Sequence, residues 1–230
     1  DSSGRPVIAY APGRVASLAG AYWTFDDFFL AYGEPTGISL ALGAGGRPHV
    51  AYSWYSLHDI FEDAGLDYVV RNTAGWQRTA LYHGSYSARV GPPALALDAD
   101  DTPQISSGIY SDAWPLDYHM LSVVHFRRTD SGWTSEAVDD PGYGWVQKQV
   151  DLDLDPDGNP TIGYTPPNTN LVKIAVRDTN GWRYESVDPA GGRDVSLTLD
   201  NAGFPHMSYG ASAGELRYAY RNVSGWHLVN

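Results

Sequence analysis

Short runs in which apolar and polar residues alternate recur along the whole chain. They read Ile38-Ser-Leu-Ala-Leu42, Pro93-Ala-Leu-Ala-Leu97, Val150-Asp-Leu-Asp-Leu154 and Val195-Ser-Leu-Thr-Leu199. A period of two is that of a strand with one face turned to a core. Each run leads into a turn phrase, Asp-x-x-Gly-x-Pro, clearest at Asp155-Pro-Asp-Gly-Asn-Pro160 and Asp200-Asn-Ala-Gly-Phe-Pro205. Weaker copies lie at Gly43 to Pro48 and Asp98 to Pro103, and the chain opens on another, Asp1 to Pro6. Asp caps such a turn, Gly supplies the positive φ and Pro ends the pairing. A second strand then ends on Tyr10, Tyr52, Ser107, Tyr164 or Tyr209. A third strand is read at Leu66 to Val70, Val123 to Arg127, Val172 to Val176 and Leu216 to Tyr220. An Asn/Asp-x-x-Gly hairpin carries the chain into a fourth strand at Trp76, Trp133, Trp182 and Trp226. The same spacing puts the third strand of the first repeat at Leu18 to Tyr22, with Phe28 in the tryptophan position.

The shared prolines stand at 6, 48, 103, 160 and 205. Repeats of that length, made of short strands and glycine turns, predict radial β repeats and a single all-β domain, a β-propeller of five blades. The blades run approximately over 1–37, 38–92, 93–148, 149–193 and 194–230. The first strand has four copies where the other strands have five, because the chain opens directly on a turn. Either the first blade has three strands or residues upstream of Asp1 belong to it; N-terminal truncation or processing is favoured. The alternative is part of a larger propeller of six to eight blades. In a closed ring of five, the strand through Trp226 lies near the first blade.

Composition narrows the function. The net charge is −12 with only 15 Lys and Arg, which argues against nucleic acid and against docking on anionic lipid. There is no cysteine, so disulfides, thiolate metal sites and a cysteine nucleophile are excluded. No apolar run reaches transmembrane length. Abundant aromatics, few lysines and no cysteine fit a secreted, periplasmic or cell-surface protein of bacterial type.

Repeats of the form Leu-x-Leu-Asp-x-x-Gly-x-Pro-His-Ile-x-Tyr, followed by Leu-x-Tyr-Ala-x-Arg and Gly-Trp, resemble those of secreted bacterial β-propellers in the broad sialidase-like or BNR-like group. That group includes glycoside hydrolases, polysaccharide lyases, lectins and modules of unknown role, so the resemblance implies a fold more than a chemistry. The sialidase Asp-box is absent; the nearest stretch, Thr129-Asp-Ser-Gly-Trp-Thr134, has Trp directly after Gly.

Function is expected on the face opposite the short turns, where the second and third repeats carry inserted segments, Ser53 to Gly65 and Gly108 to Met120. Trp54, Tyr55, Trp114 and Trp145 are the candidate sugar platforms there, since ring faces stack on the CH faces of a sugar. Arg14, Arg89 and Arg193 could clamp a carboxylate if they converged. The leading expectation is a noncatalytic binding module for a glycan or protein ligand. The rival is a polysaccharide-cleaving enzyme, a glycoside hydrolase or lyase, using Asp59, Glu62 and Asp112 with His58 and His119. No cofactor is expected. The clusters Asp98-Ala-Asp-Asp101 and Asp155-Pro-Asp157 resemble calcium loops but lack the continuing oxygen ligands.

Overall fold

A computed structural model describes residues 1–28, 33–58, 61–85, 88–113, 118–143, 150–166, 169, 171–211 and 214–229. It is all-β apart from one 3-10 turn at Ala44–Gly46. The first sheet has three strands, β1 (Val7–Tyr10), β2 (Arg14–Ala19) and β3 (Tyr22–Asp27). The second has four, β4 (Glu34–Leu42), β5 (Pro48–His58), β6 (Phe61–Asn72) and β7 (Gly75–Ser85). In the third, β10 (Pro103–Ala113), β11 (Tyr118–Thr129) and β12 (Gly132–Tyr143) follow an inner edge broken into β8 (Arg89–Val90) and β9 (Ala94–Leu97). The fourth holds β13 (Asp151–Leu154), β14 (Pro160–Tyr164), β15 (Val172–Asp178) and β16 (Gly181–Asp188). The fifth holds β17 (Gly192–Leu199), β18 (Pro205–Ala211), β19 (Leu216–Asn222) and β20 (Gly225–Val229). All pairing is antiparallel and runs in chain order, so each sheet is one blade.

The turn chemistry is the one the sequence implies. Asp155 Oδ1 accepts from the backbone N–H of Asp157 (2.9 Å) and Asn159 (2.8 Å), and Gly158 sits at φ 77°. Asp200, Asp98 and Asp1 cap their turns alike. The second repeat has Gly43 in place of the aspartate; Asp101 of the third blade reaches across and accepts from Ala44 N at 2.8 Å. Of the carboxylates read as possible calcium loops, Asp98, Asp101 and Asp155 are thus turned onto backbone amides. Among the described residues no three His, Asp or Glu side chains group as a cation site.

Blades join through four apolar clusters, one per consecutive pair. Val15, Phe28, Val50 and Val69 join the first blade to the second. Leu66, Leu95, Ile105 and Phe126 join the second to the third, and Val123, Val150, Leu152 and Ile162 the third to the fourth. Ile174, Leu197, Met207 and Tyr209 join the fourth to the fifth. Trp76, Trp133, Trp182 and Trp226 each pack from their own blade onto the one before. Inner strands are also tied by side chains. Asp151 Oδ2 accepts from Leu197 N and Asp153 Oδ2 from Leu199 N, both at 2.7 Å, satisfying amides that the edge of the fifth blade would otherwise leave open.

A second tie uses the tyrosine that ends the second strand. Tyr209 Oη and Arg217 Nη1 each donate to Asp188 Oδ2 of the preceding blade at 2.8 Å. Tyr164 and Lys173 hold Asp139 in the same way. Asp188 is 1% exposed, and its bonds to Tyr209 and Arg217 outweigh burial and hold its pKa below the usual value. Asp188→Asn is expected to cost about 1.5–3 kcal/mol in urea unfolding, because Arg217 loses its counter-charge in a dry interface.

Two expectations are corrected. In the first repeat the third strand is β2, ending at Ala19, and the chain turns through Gly20 (φ 69°) and Ala21. Leu18 pairs with Trp23 as Arg71 pairs with Trp76, so Trp23 holds the repeat tryptophan position and Phe28 does not. Phe28 lies beyond β3, 5.4 Å from the Trp76 ring. The inserted segments are not loops. Ser53 to His58 ladders with Phe61 to Leu66, and Gly108 to Ala113 with Tyr118 to Val123, as extensions of the second and third strands. The five sheets fit a propeller of five blades; among the described residues no core cluster joins the fifth blade to the first, and β1, β2 and β3 pair with one another.

Candidate functional site

Between the third and fourth blades, on the face of the short turns, lies a cavity of about 560 Å³. The third blade supplies Gln104 from β10, His125 and Arg127 from β11, and Thr134 and Glu136 from β12. The fourth supplies the turn Gly158-Asn-Pro160 and the hairpin residues Arg177, Asp178 and Thr179. Strand register puts His125 opposite Glu136 and Arg127 opposite Thr134, so alternate side chains of neighbouring strands point into the same space.

Its polar groups are held in fixed order. Gln104, fully buried, donates from Nε2 to Gly158 O at 2.9 Å, which turns its Oε1 toward His125 Nε2 at 3.0 Å. Burial pushes His125 down to about 4, so the ring is neutral at pH 7. A neutral ring facing Oε1 carries its proton on Nε2, which leaves Nδ1 as an acceptor, 3.8 Å from Glu136 Oε1. Arg177 Nε donates to the same Glu136 oxygen at 3.2 Å, and its guanidinium lies 5.8 Å over the Trp182 ring. The buried Trp182 Nε1 donor has no protein partner among the described residues. The cavity therefore offers two acceptors and a charged donor fork around one space. It is a hydroxyl-binding set. A second groove on the same face, about 740 Å³ and lined by Asp100, Asp101, Arg128 and Asp130, shares Arg127 and Thr129 with it.

The arrangement is repeated. Between the fourth and fifth blades a smaller space of about 120 Å³ is lined by Thr161, Ile174, Val176 and Glu185 facing Phe204 and Arg221. Glu185 Oε2 accepts from Arg221 Nε and Trp226 Nε1, both at 3.0 Å. Phe204 stands where the other turn has Asn159, and Ile174 and Val176 where the other blade has His125 and Arg127. Those exchanges fill the space with apolar groups. At the first interface Arg71 Nε donates to Asp26 at 2.6 Å, so the carboxylate–arginine pair recurs while its surroundings vary.

The residues singled out from sequence are spread more widely. Trp54 is 3% exposed, donates to Asp67 Oδ2 at 2.8 Å and stacks on His83 at 5.7 Å; it is a core ring, not an open sugar platform. Asp67, fully buried, also takes Arg78 at 3.0 Å; burial raises its pKa, with Arg78 working against that. Arg89 lies 4.4 Å over the Tyr55 ring. Arg14 pairs with Asp27, and Arg193 sits 3.8 Å from Asp194. These three arginines stand in the first, third and fifth blades and line none of the cavities described above. His58 and Glu62 belong to the end of the β5–β6 ladder, and Asp112 is the register partner of His119. Asp59, Trp114 and Trp145 fall outside the described residues.

The inter-blade site was missed because its groups come from two repeats. The signal was present: Asp26, Glu136 and Glu185 stand three residues after the repeat tryptophan, and Arg71, Arg177 and Arg221 close the third strand of the following repeat.

Neither the protein-family models nor the curated proteins contain a match to this chain. Solved structures do match. A protein of unknown function from Dyadobacter fermentans is 13% identical over 92% of this chain and 68% of its own, with a TM-score of 0.62. The Aleuria aurantia lectin, solved with Fucα1-6GlcNAc, is 11% identical over 98% of this chain and 77% of its own, with a TM-score of 0.55. AofleA from Arthrobotrys oligospora is 11% identical, covers 94% of this chain and 79% of its own, and has a TM-score of 0.50. At such identities the likeness is one of fold, and the fold is the β-propeller.

Proposed function

We propose that this chain is a carbohydrate-binding β-propeller whose ligand enters between blades, on the face of the short turns. The observation that carries the reading is the polar cavity between the third and fourth blades. There His125 Nδ1, Glu136 and Arg177 form an acceptor–acceptor–donor set around one space, the arrangement that vicinal sugar hydroxyls require. The sugar-bound Aleuria lectin supports the class of ligand by sharing the fold. Action outside the cell and a noncatalytic role belong to the proposal.

A glycan array followed by calorimetry tests it. Arg177→Ala and Glu136→Ala are each expected to weaken the best glycan about 10- to 100-fold, the size of a lost hydrogen bond to a charged group. Equal affinity in both variants would place the site elsewhere. The second reading is a polysaccharide-cleaving enzyme, for which Asp112 and His119, register partners in the β10–β11 ladder, are the candidate acid and base. The control arm is therefore Asp112→Asn in an activity screen on acidic and neutral polysaccharides. A rate that disappears only in that variant would favour the enzyme.

A further inference from the structure

Among the described residues ten arginines are ion-paired with a carboxylate. Arg127 and Arg128, consecutive on β11, have no such pair among those residues, although acidic side chains outnumber basic ones by 27 to 15 in this chain. Each is free for its own reason. Arg128 is the repeat arginine of its blade, opposite Trp133 as Arg71 is opposite Trp76 and Arg177 opposite Trp182. The blade before it supplies Thr79 where the first, third and fourth blades supply Asp26, Glu136 and Glu185, so that joint holds no counter-charge for it. Arg127 departs from the repeat outright: Ser17, Val70, Val176 and Tyr220 occupy its register position in the other blades. Both departures fall on one hairpin.

That hairpin is the wall between two cavities. Consecutive strand residues leave opposite faces, which sends Arg127 into the inter-blade cavity and Arg128 away from it. Arg127 and Thr129 line both spaces, whereas Arg128 and Asp130 line only the groove of about 740 Å³. Asp100 lines that groove as well, and Asp100 and Asp130 are exposed with no ion pair among the described residues. Asp101 is already occupied by Ala44 N and Arg47. Two guanidiniums and two carboxylates therefore border one open space without neutralising each other, and a ligand has donors and acceptors of both kinds to complete. The set suits hydroxyls. It does not suit an anion, because with Asp101 three carboxylates stand against two guanidiniums.

We propose that the inter-blade cavity and this groove are two subsites of one path, and that the ligand is a neutral oligosaccharide crossing Arg127, with one sugar in the cavity and the next over Arg128 and Asp130. The inference rests on the carbohydrate reading and adds to it the length and charge of the ligand. Calorimetry tests it with two probes: the neutral array glycan of three or more residues that binds best, and the methyl glycosides of its constituent sugars. The parent is expected to bind the oligosaccharide at least about 10-fold more tightly than any of the methyl glycosides. Arg128→Ala and Asp130→Ala, both at exposed positions and checked for folding by circular dichroism, should each weaken the oligosaccharide about 10-fold and leave the methyl glycosides unchanged. Arg177→Ala should weaken both probes, which separates a failure of the groove from a failure of the cavity. A methyl glycoside bound as tightly as the oligosaccharide, unchanged oligosaccharide affinity in both groove variants, or tighter binding of a uronic-acid counterpart would each overturn the proposal and leave the cavity reading intact. An inert Arg177→Ala, or binding of no glycan at all, would overturn the cavity reading and the shared path with it.

Discussion

Trp182→Ala is expected to destabilise the protein by about 2–4 kcal/mol in urea unfolding, somewhat below the cost of deleting a fully buried indole. The ring is half-buried between the third and fourth blades, against the cluster of Val123, Val138, Val150 and Ile162. Removing it takes the edge contact from His125 and leaves Arg177 without the ring beneath its guanidinium. The chain provides its own control. Trp23 holds the same register position in the first blade but is 41% exposed, so Trp23→Ala should cost well under half as much. Equal losses would mean that the tryptophans stabilise their own hairpins and not the joints between blades.

That comparison also marks where the sequence is informative. Aspartate turns, alternating strands and Gly-Trp hairpins were legible because each is a local arrangement of three to six residues with its own chemistry. Asp155 caps the turn it opens, and no distant residue is needed to say so. The first repeat defeated the reading because Tyr22 replaces the glycine before Trp23, while the turn glycine has moved to position 20. The inserted segments continue strands without announcing it: Ser53 to His58 ladders with Phe61 to Leu66, yet Trp54 and Tyr55 stand side by side and break the alternation of a half-buried strand. The site is the hardest case. Gln104 and Gly158 meet across a blade joint, 54 positions apart, and nothing in either repeat alone announces the contact. What could have announced it is the recurrence of a carboxylate after one tryptophan and an arginine before the next, a pattern visible only when adjacent repeats are read as a pair. The same pairing shows where the pattern lapses: at Leu18, at Val229, and at the joint of the second and third blades, where Thr79 takes the carboxylate position and Arg128 the arginine position.

Acid should unfold this protein early. His49 and His125 are 2% and 4% exposed, and burial is the main cause that pushes each ring down to about 4. For His49 the nearby Arg47 adds to the depression and Asp101 opposes it. For His125, Glu136 opposes it while Arg127 and Arg177 add to it. An exposed imidazole in the unfolded chain titrates near 6.5. Between pH 6.5 and 4 the unfolded state therefore binds protons that the folded state refuses, and stability falls as pH falls. Below about 4 both states are protonated and the loss is complete. At about 1.4 kcal/mol per pH unit, each histidine contributes a loss of roughly 3 kcal/mol over that window. Asp67 and Asp151 act in the opposite sense: burial raises their pKa, so the folded state takes up their protons first and gains stability as they titrate. That gain is complete once the pH falls below about 3.9, where an unfolded aspartate titrates. The expected result is a urea-unfolding free energy that is flat from pH 8 to 7 and declines steeply from 6.5 to 5. His125→Gln, which keeps a hydrogen-bonding group beside Gln104, should remove about half of that slope even if it lowers the plateau. A parent whose stability is unchanged at pH 5, or a variant that retains the full slope, would show that these two buried rings do not set the acid limit.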